Sequence, residues 1–204
     1  MNSHQVLPLI INSEHFMPER QGRLSGQGGE FIASIRAAEK AGGMWLAFQD
    51  SNGHCAISKH DLVSRGEIKQ VDWLSRKQII VEFNVTGWGL ISTNHPEFSK
   101  EWFTDTITAQ QLILWPTPET YPPQSHLQQA LLQVKRLYPE LHSYCPNQAQ
   151  DLNDVRLLCW RWLELLPLSI DTKQRLLKAA TPALCIRYLN FILRQNDRFL
   201  HLRR

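Results

Sequence analysis

Four prolines, at positions 116, 118, 122 and 123, divide the chain. Proline has no backbone N–H and a fixed φ, so a run of this kind can neither sit inside a sheet nor begin a helix interior; it is a stiff connector. The hydrophobic pattern changes across it. Before it, residues 6–11, 44–48, 78–85, 88–92 and 106–115 are rich in Ile, Val, Leu, Thr and aromatics and are bounded by Gly, Asn, Pro and Ser, which predicts strands. One helix interrupts them: Phe31, Ile32, Ile35, Ala38 and Ala41 fall near helical spacing, and Gly42 and Gly43 stop it.

Beyond the prolines the period becomes helical. Ser125 and Gln128 match a capping box, and Leu127, Ala130, Leu131, Val134, Leu137 and Tyr138 form a stripe that ends before Pro139. Asp151 or Asn153 is placed to cap a second helix, with Val155, Leu158, Cys159, Trp162, Leu163 and Leu166 on one side. A third, shorter helix follows Ser169. Thr181 caps a fourth that opens on Pro182 and runs to about Leu200. Helices apolar on one face only must pack together or on the sheet, which predicts a β-rich subdomain over 1–120 and a helical subdomain over 121–204. Charge divides the same way. Residues 1–120 hold 10 Lys/Arg against 13 Asp/Glu, a balance of −3, whereas 121–204 hold 12 against 6, a balance of +6.

At 204 residues, 43% hydrophobic and 20% charged, the chain is long and apolar enough for a packed core, which excludes wholesale disorder. Its apolar runs fall far short of the roughly 20 residues that span a bilayer, and no basic-then-apolar leader is present, so a cytoplasmic protein with no membrane partner is expected. The four cysteines form no C-x-x-C pair and are read as reduced.

The run Trp162-Leu163-Glu164-Leu165-Leu166-Pro167-Leu168, then Asp171-Thr172-Lys173-Gln174, Leu176-Leu177, Thr181-Pro182 and Arg187-Tyr188-Leu189, resembles the helical part of the Lon protease N-terminal substrate-binding domain. Leu7-Pro8-Leu9 is similar to that family's opening strand, residues 30–41 to its first helix and residues 62–91 to its central strands. Residues 21–29 are richer in Gly and polar residues than the family's second strand. The resemblance implies an α+β fold: a PUA-like pseudo-barrel of short, mostly antiparallel strands with one helix, followed by a C-terminal helical bundle. In Lon this domain engages unfolded or tagged polypeptides. The family's other parts have no counterpart: the dipeptide Gly-Lys is absent, so no P-loop exists to hold ATP phosphates, and no serine-lysine protease domain follows. A free-standing, non-catalytic recognition domain is the expectation.

Other constellations yield to simpler readings. Gly28-Gly29-Glu30-Phe31 carries most of the diguanylate cyclase motif but lacks one of its acids, and a helix entry explains it. His54, Cys55, His60 and Asp61 have metal-ligand chemistry without zinc-site spacing, so no metal and no cofactor are expected. Cys159 and Cys185 sit on apolar helix faces as inert core thiols. Asp171, ahead of Lys173, meets a helix dipole rather than serving as an acid or base, and no nucleophile signature appears, so no catalytic residue is assigned.

Two surfaces remain. Trp73, Trp88 and Trp102, with Phe103, lie near turns or strand ends of the β-rich half and would hold apolar segments of an extended polypeptide if exposed. Arg187, Arg194 and Arg198 fall within about 40° of one another on the last helix, with Phe191 at the edge, and form a face for an anionic partner. The reading is a polypeptide-binding recognition module or adaptor in protein quality control, gripping unfolded or extended chains in an apolar groove between the β part and the helices. A protease or chaperone is a candidate partner, and oligomeric state is left open. RNA binding through the basic helical face is the alternative.

Overall fold

The uninterrupted apolar run Met44–Phe48 forms strand β3, and every residue of it is buried because both its faces are covered. Met44 and Leu46 join one core cluster with Phe31, Ile35, Val81 and Phe83, while Trp45 and Ala47 join a second with Leu7, Leu9 and Ile107. The computed structural model describes residues 3–50, 52–93, 106–116, 121–137 and 152–201, with side chains at all but 135, 137 and 196–201. The chain divides into two units, Met1–Ile113 and Leu114–Arg204.

In the first unit β3 is joined by β1 (His4–Asn12), β2 (Arg20–Gln27), β4 (Leu62–Ser75), β5 (Gln78–Ile91) and β6 (Thr106–Leu112), with helix α1 (Gly29–Ala41) between β2 and β3. The strand order is β2-β5-β4-β3-β1-β6, and β6 also pairs with β5, which closes the sheet into a pseudo-barrel. Among the described strands only β1 and β3 run parallel; the other pairings are antiparallel. α1 ends at Gly42, whose φ of 74° places it in the left-handed region as a helix C-cap requires.

Three strands differ from what the hydrophobic pattern alone predicts, although the family resemblance places central strands over 62–91. Residues 78–85 and 88–92 are not two strands: β5 continues through a bulge at Thr86. β4, rich in charged and polar residues, is a long strand that local hydrophobicity does not announce. The glycine-rich stretch 20–27 is strand β2, paired with β5 along its whole length. Its glycines make room: a Cβ on Gly22 would lie 2.2 Å from Phe83 Cζ, and one on Gly26 would lie 2.3 Å from Phe31 Cδ1. A composition that looks like a loop is here the condition for two phenylalanines to enter the core.

The second unit holds α2 (Ser125–Leu137), α3 (Val155–Leu165), α4 (Ile170–Leu177) and α5 (Ala183–His201). The predicted apolar faces are inside: Leu127, Leu131, Leu158, Leu163, Leu177, Leu189 and both Cys159 and Cys185 are buried. Ser169 caps α4 by accepting from the Thr172 N–H at 3.4 Å, and Thr181 accepts from the Ala183 N–H at 3.4 Å at the head of α5. Asp154, rather than Asp151 or Asn153, caps α3, accepting from the Arg156 N–H at 2.8 Å. Partial burial pushes that carboxyl up, but hydrogen bonds from Arg156 outweigh it and hold Asp154 below its ordinary range. The expected capping box at Ser125 does not form: Ser125 is already the first helical residue, and the Gln128 N–H donates to the Gln124 carbonyl at 3.0 Å, while the Gln128 side-chain amide donates to the Leu152 carbonyl at 2.8 Å. Trp162 Nε1 donates to the Leu127 carbonyl at 3.2 Å and ties α3 to α2.

The division between the units falls ahead of the prolines. Trp115 is buried in the second unit, stacked on Trp160 with ring centroids 6.1 Å apart, its Nε1 donating to the Ala179 carbonyl at 2.9 Å. Among the described residues no helix is long and apolar enough to cross a membrane.

The strand β2 packing predicts a contrast between neighbouring glycines. Gly22→Ala overpacks Phe83 and lowers stability by about 1–3 kcal/mol. Gly29→Ala, at a helical position with nothing within 4 Å, leaves stability unchanged or raises it by up to about 1 kcal/mol. Urea titrations of the two variants measure both.

Candidate polypeptide-binding surface

The long hairpin of β4 and β5 outruns the sheet around it. β3 meets β4 only between Gly66 and Ser64, so from Glu67 to Ser75 the described partner of β4 is β5 alone and its other edge carries no described strand. Along this stretch the inner face repeats cross-strand apolar pairs: Ile68 opposite Phe83, Val71 opposite Val81 and Trp73 opposite Ile79. Ile68 and Val71 pack on the core cluster shared with α1.

Trp73 is the next step of that stripe and is 52% exposed. The Arg36 guanidinium of α1 lies over its ring, 5.8 Å from the centroid, which fixes the indole as a platform beside the helix. Leu74 sits in a bulge between the Trp73 and Ser75 pairs and is 57% exposed. A bulge lets two consecutive apolar residues both reach solvent, against the alternation of a regular strand. Lys69, Arg76 and Lys77 are exposed around them, and the Lys77 carbonyl accepts from the Gly28 N–H at 2.9 Å, which ties the hairpin end to the entry of α1. Gln70 Nε2 donates to Asp72 Oδ1 at 2.9 Å on the same strand. The arrangement is an aromatic and an aliphatic anchor beside a strand edge, the two components needed to hold an extended chain.

The other expected aromatics are placed differently. Trp88 is only 2% exposed: past the bulge at Thr86 its side chain turns into the barrel, edge-on to Phe48 at 6.3 Å between centroids, so it cannot offer a surface. Trp102 and Phe103 lie outside the described residues. Sequence reasoning missed Leu74 and Arg36. The adjacency of Trp73 and Leu74 just before a turn is the signal that could have found Leu74, whereas the approach of Arg36 is tertiary.

On α5, Arg187 and Arg194 are exposed, and the side chain of Arg198 lies outside the described residues. Phe191 shares that face, as does Leu184, which the sequence reading passed over.

The remaining polar candidates sit in a hydrogen-bonded turn and in the helical core. Asp50 Oδ1 accepts from the N–H groups of Asn52 and His54 at 2.9 and 3.0 Å, making a turn of the segment that carries His54 and Cys55. Among the described residues no three His, Cys, Asp or Glu side chains converge as metal ligands. Burial pushes the Cys55 thiol up, and a hydrogen bond with Cys185 together with burial holds Cys159 well above its ordinary value, so these thiols are not activated nucleophiles. Within the helical unit Arg161 Nη1 donates to Glu164 Oε2 at 2.7 Å, both side chains sealed from solvent, with Lys173 of α4 buried in the same electrostatic environment. Burial lowers the Lys173 amine to about 8, although the Glu164 charge opposes the shift.

Comparison with solved structures places this architecture. An α+β chain with a mixed, closed sheet followed by a helical bundle is the PUA-like pseudo-barrel class with an appended helical unit. More particularly, it has the fold of Lon N-terminal domains. A Lon N-terminal domain protein from Xanthomonas campestris matches with a TM-score of 0.60 and 16% identity over 91% of this chain and 96% of that one. The N-terminal domain of the Mycobacterium avium complex Lon protease matches with a TM-score of 0.55 and 13% identity, again over 91% and 96%. No protein-family model matches the sequence, and no curated protein matches it.

Lys173 generates a pH prediction. Its amine binds protons more weakly in the folded chain than in the unfolded one, so between about pH 8 and its unfolded value of 10.5 the unfolded state holds more protons and this group's contribution to stability rises with pH. Below about pH 8 the cost of the buried charge is fully present. Lys173→Met removes that rise, read as the difference between the two proteins in urea midpoint from pH 7 to pH 10. Glu164→Ala, which leaves the buried Arg161 charge without this carboxylate, lowers stability by about 3–5 kcal/mol in the same assay.

Proposed function

We propose that this chain is a non-catalytic polypeptide-binding module that takes an extended or unfolded segment along the outer edge of β4, with Trp73 and Leu74 as its anchors. The observation that carries the reading is the exposed Trp73–Leu74 pair at a stretch of strand whose outer side has no described neighbour. Main-chain groups along Glu67–Ser75 supply affinity without regard to sequence, and the indole selects segments with an apolar or aromatic residue. The fold likeness to Lon N-terminal domains supports a substrate-binding role at the level of the fold. A recognition or adaptor role in protein quality control, in the cytoplasm and alongside a protease or chaperone, follows as part of the same proposal.

Ordering a flexible segment against a small apolar ledge gives modest affinity, with Kd values on the order of micromolar. Calorimetric titration with unfolded, aromatic-containing peptides tests the reading. The parent chain binds with little dependence on salt. Trp73→Ala weakens binding by about tenfold or more while the chain stays folded, its unfolding free energy in urea falling by about 1 kcal/mol through loss of the Arg36 and Ile79 contacts. A peptide N-methylated at alternate residues, which cannot pair with the strand edge, loses most of its affinity. Absence of heat at high micromolar peptide overturns the proposal, and binding that collapses between low and moderate salt transfers the function to phosphate recognition and thus to RNA.

A further inference from the structure

The exposed face of α5 carries two rows of side chains with the same spacing. Leu184 and Phe191, 39% and 61% exposed, are seven residues apart; Arg187 and Arg194, both exposed, are also seven apart. At 100° per residue the four lie within about 80° of helix circumference, and each row advances by about 10.5 Å along the axis. The buried side is elsewhere, at Cys185, Ile186 and Leu189. No Asp or Glu occurs between residues 183 and 196, and among the described residues neither Arg187 nor Arg194 has an ion-pair or hydrogen-bond partner. The helical half in which they lie has a balance of +6.

Leu184 and Phe191 supply one of the two apolar positions per heptad that a two-helix seam uses, and Arg187 and Arg194 supply flanking charges of the kind that choose the partner. We infer that this face of α5 docks an acidic amphipathic helix of another polypeptide, with its apolar row on Leu184 and Phe191 and its carboxylates on Arg187 and Arg194. A second copy of α5 does not fit, because it would set arginines against arginines. Single-stranded RNA fits less well: base stacking needs successive aromatic platforms, and the described part of this face offers Phe191 alone. The surface lies in the helical unit and does not depend on the reading of Trp73.

The test uses the intact chain and a synthetic three-heptad peptide with Leu at the seam positions and Glu beside them, compared with a scrambled peptide of identical composition and with oligouridylate. The designed peptide binds and gains helicity, and the scrambled one does not. Phe191→Ala weakens binding by about tenfold, and the double variant Arg187→Glu, Arg194→Glu abolishes it at moderate salt. Both variants keep the parent urea midpoint and circular dichroism, since all three side chains are exposed. Trp73→Ala binds this peptide as the parent does, which separates this surface from the strand edge. Equal binding of the scrambled peptide, binding of oligouridylate in place of the peptide, unchanged affinity in the α5 variants, or a dimer in sedimentation that Phe191→Ala dissociates each overturns the inference.

Discussion

A strand in a sheet has two edges to offer, and β5 divides one of them between two partners. β4 occupies one edge along nearly its whole length; the other holds β2 over Gln78–Val85 and β6 over Trp88–Ile91, the change falling at the bulge of Thr86. This sharing closes the barrel, since β6 also pairs with β1. It also leaves β4 longer than the described strand on its other edge, because β3 reaches only to Gly66. From Glu67 onward the outer edge of β4 therefore has no described strand beside it. Closure also turns Trp88 inward while the hairpin carries Trp73 beyond the rim.

Much of the helical half was legible because its determinants are local. One-sided apolar stripes, Ser169, Thr181 and the prolines act over a few residues, and they set helices near the expected positions. The capping box at Ser125 read correctly as a pattern and failed as a structure, because the helix begins one residue earlier than a Ser125 cap requires and the Gln128 N–H donates to the Gln124 carbonyl. The β half was less legible for a related reason. β2 looks like a loop until Phe83 and Phe31 are brought over Gly22 and Gly26, and β4 exists as a strand through pairing with β5 more than through its own hydrophobicity. For the candidate surface, Trp73 could be named from its position near a turn. Its neighbour Leu74 depended on a bulge, and the cation over its ring came from a helix more than thirty residues earlier.

The helical unit is built around charges as well as apolar stripes. Arg161, Glu164 and Lys173 lie inside it, where desolvation makes charge costly and correct pairing selective. The outward side of α5 has the opposite character, with exposed arginines beside exposed apolar side chains and no acid among residues 183–196. One unit thus offers a strand edge with an aromatic anchor, and the other a helix face with charge and spacing. Both are proposed as means of holding polypeptide, by main-chain or seam geometry, on a fold shared with solved Lon N-terminal domains.

The most direct test of the strand-edge account is a map of backbone amide shifts by nuclear magnetic resonance as an unfolded, aromatic-containing peptide is added to the intact chain. The account predicts shifts concentrated in Glu67–Ser75, the Trp73 indole and the part of α1 around Arg36, with those amides slowed in hydrogen exchange when the peptide is bound. Shifts confined to other strands, or saturable binding that leaves β4 and Trp73 unmoved, would contradict it.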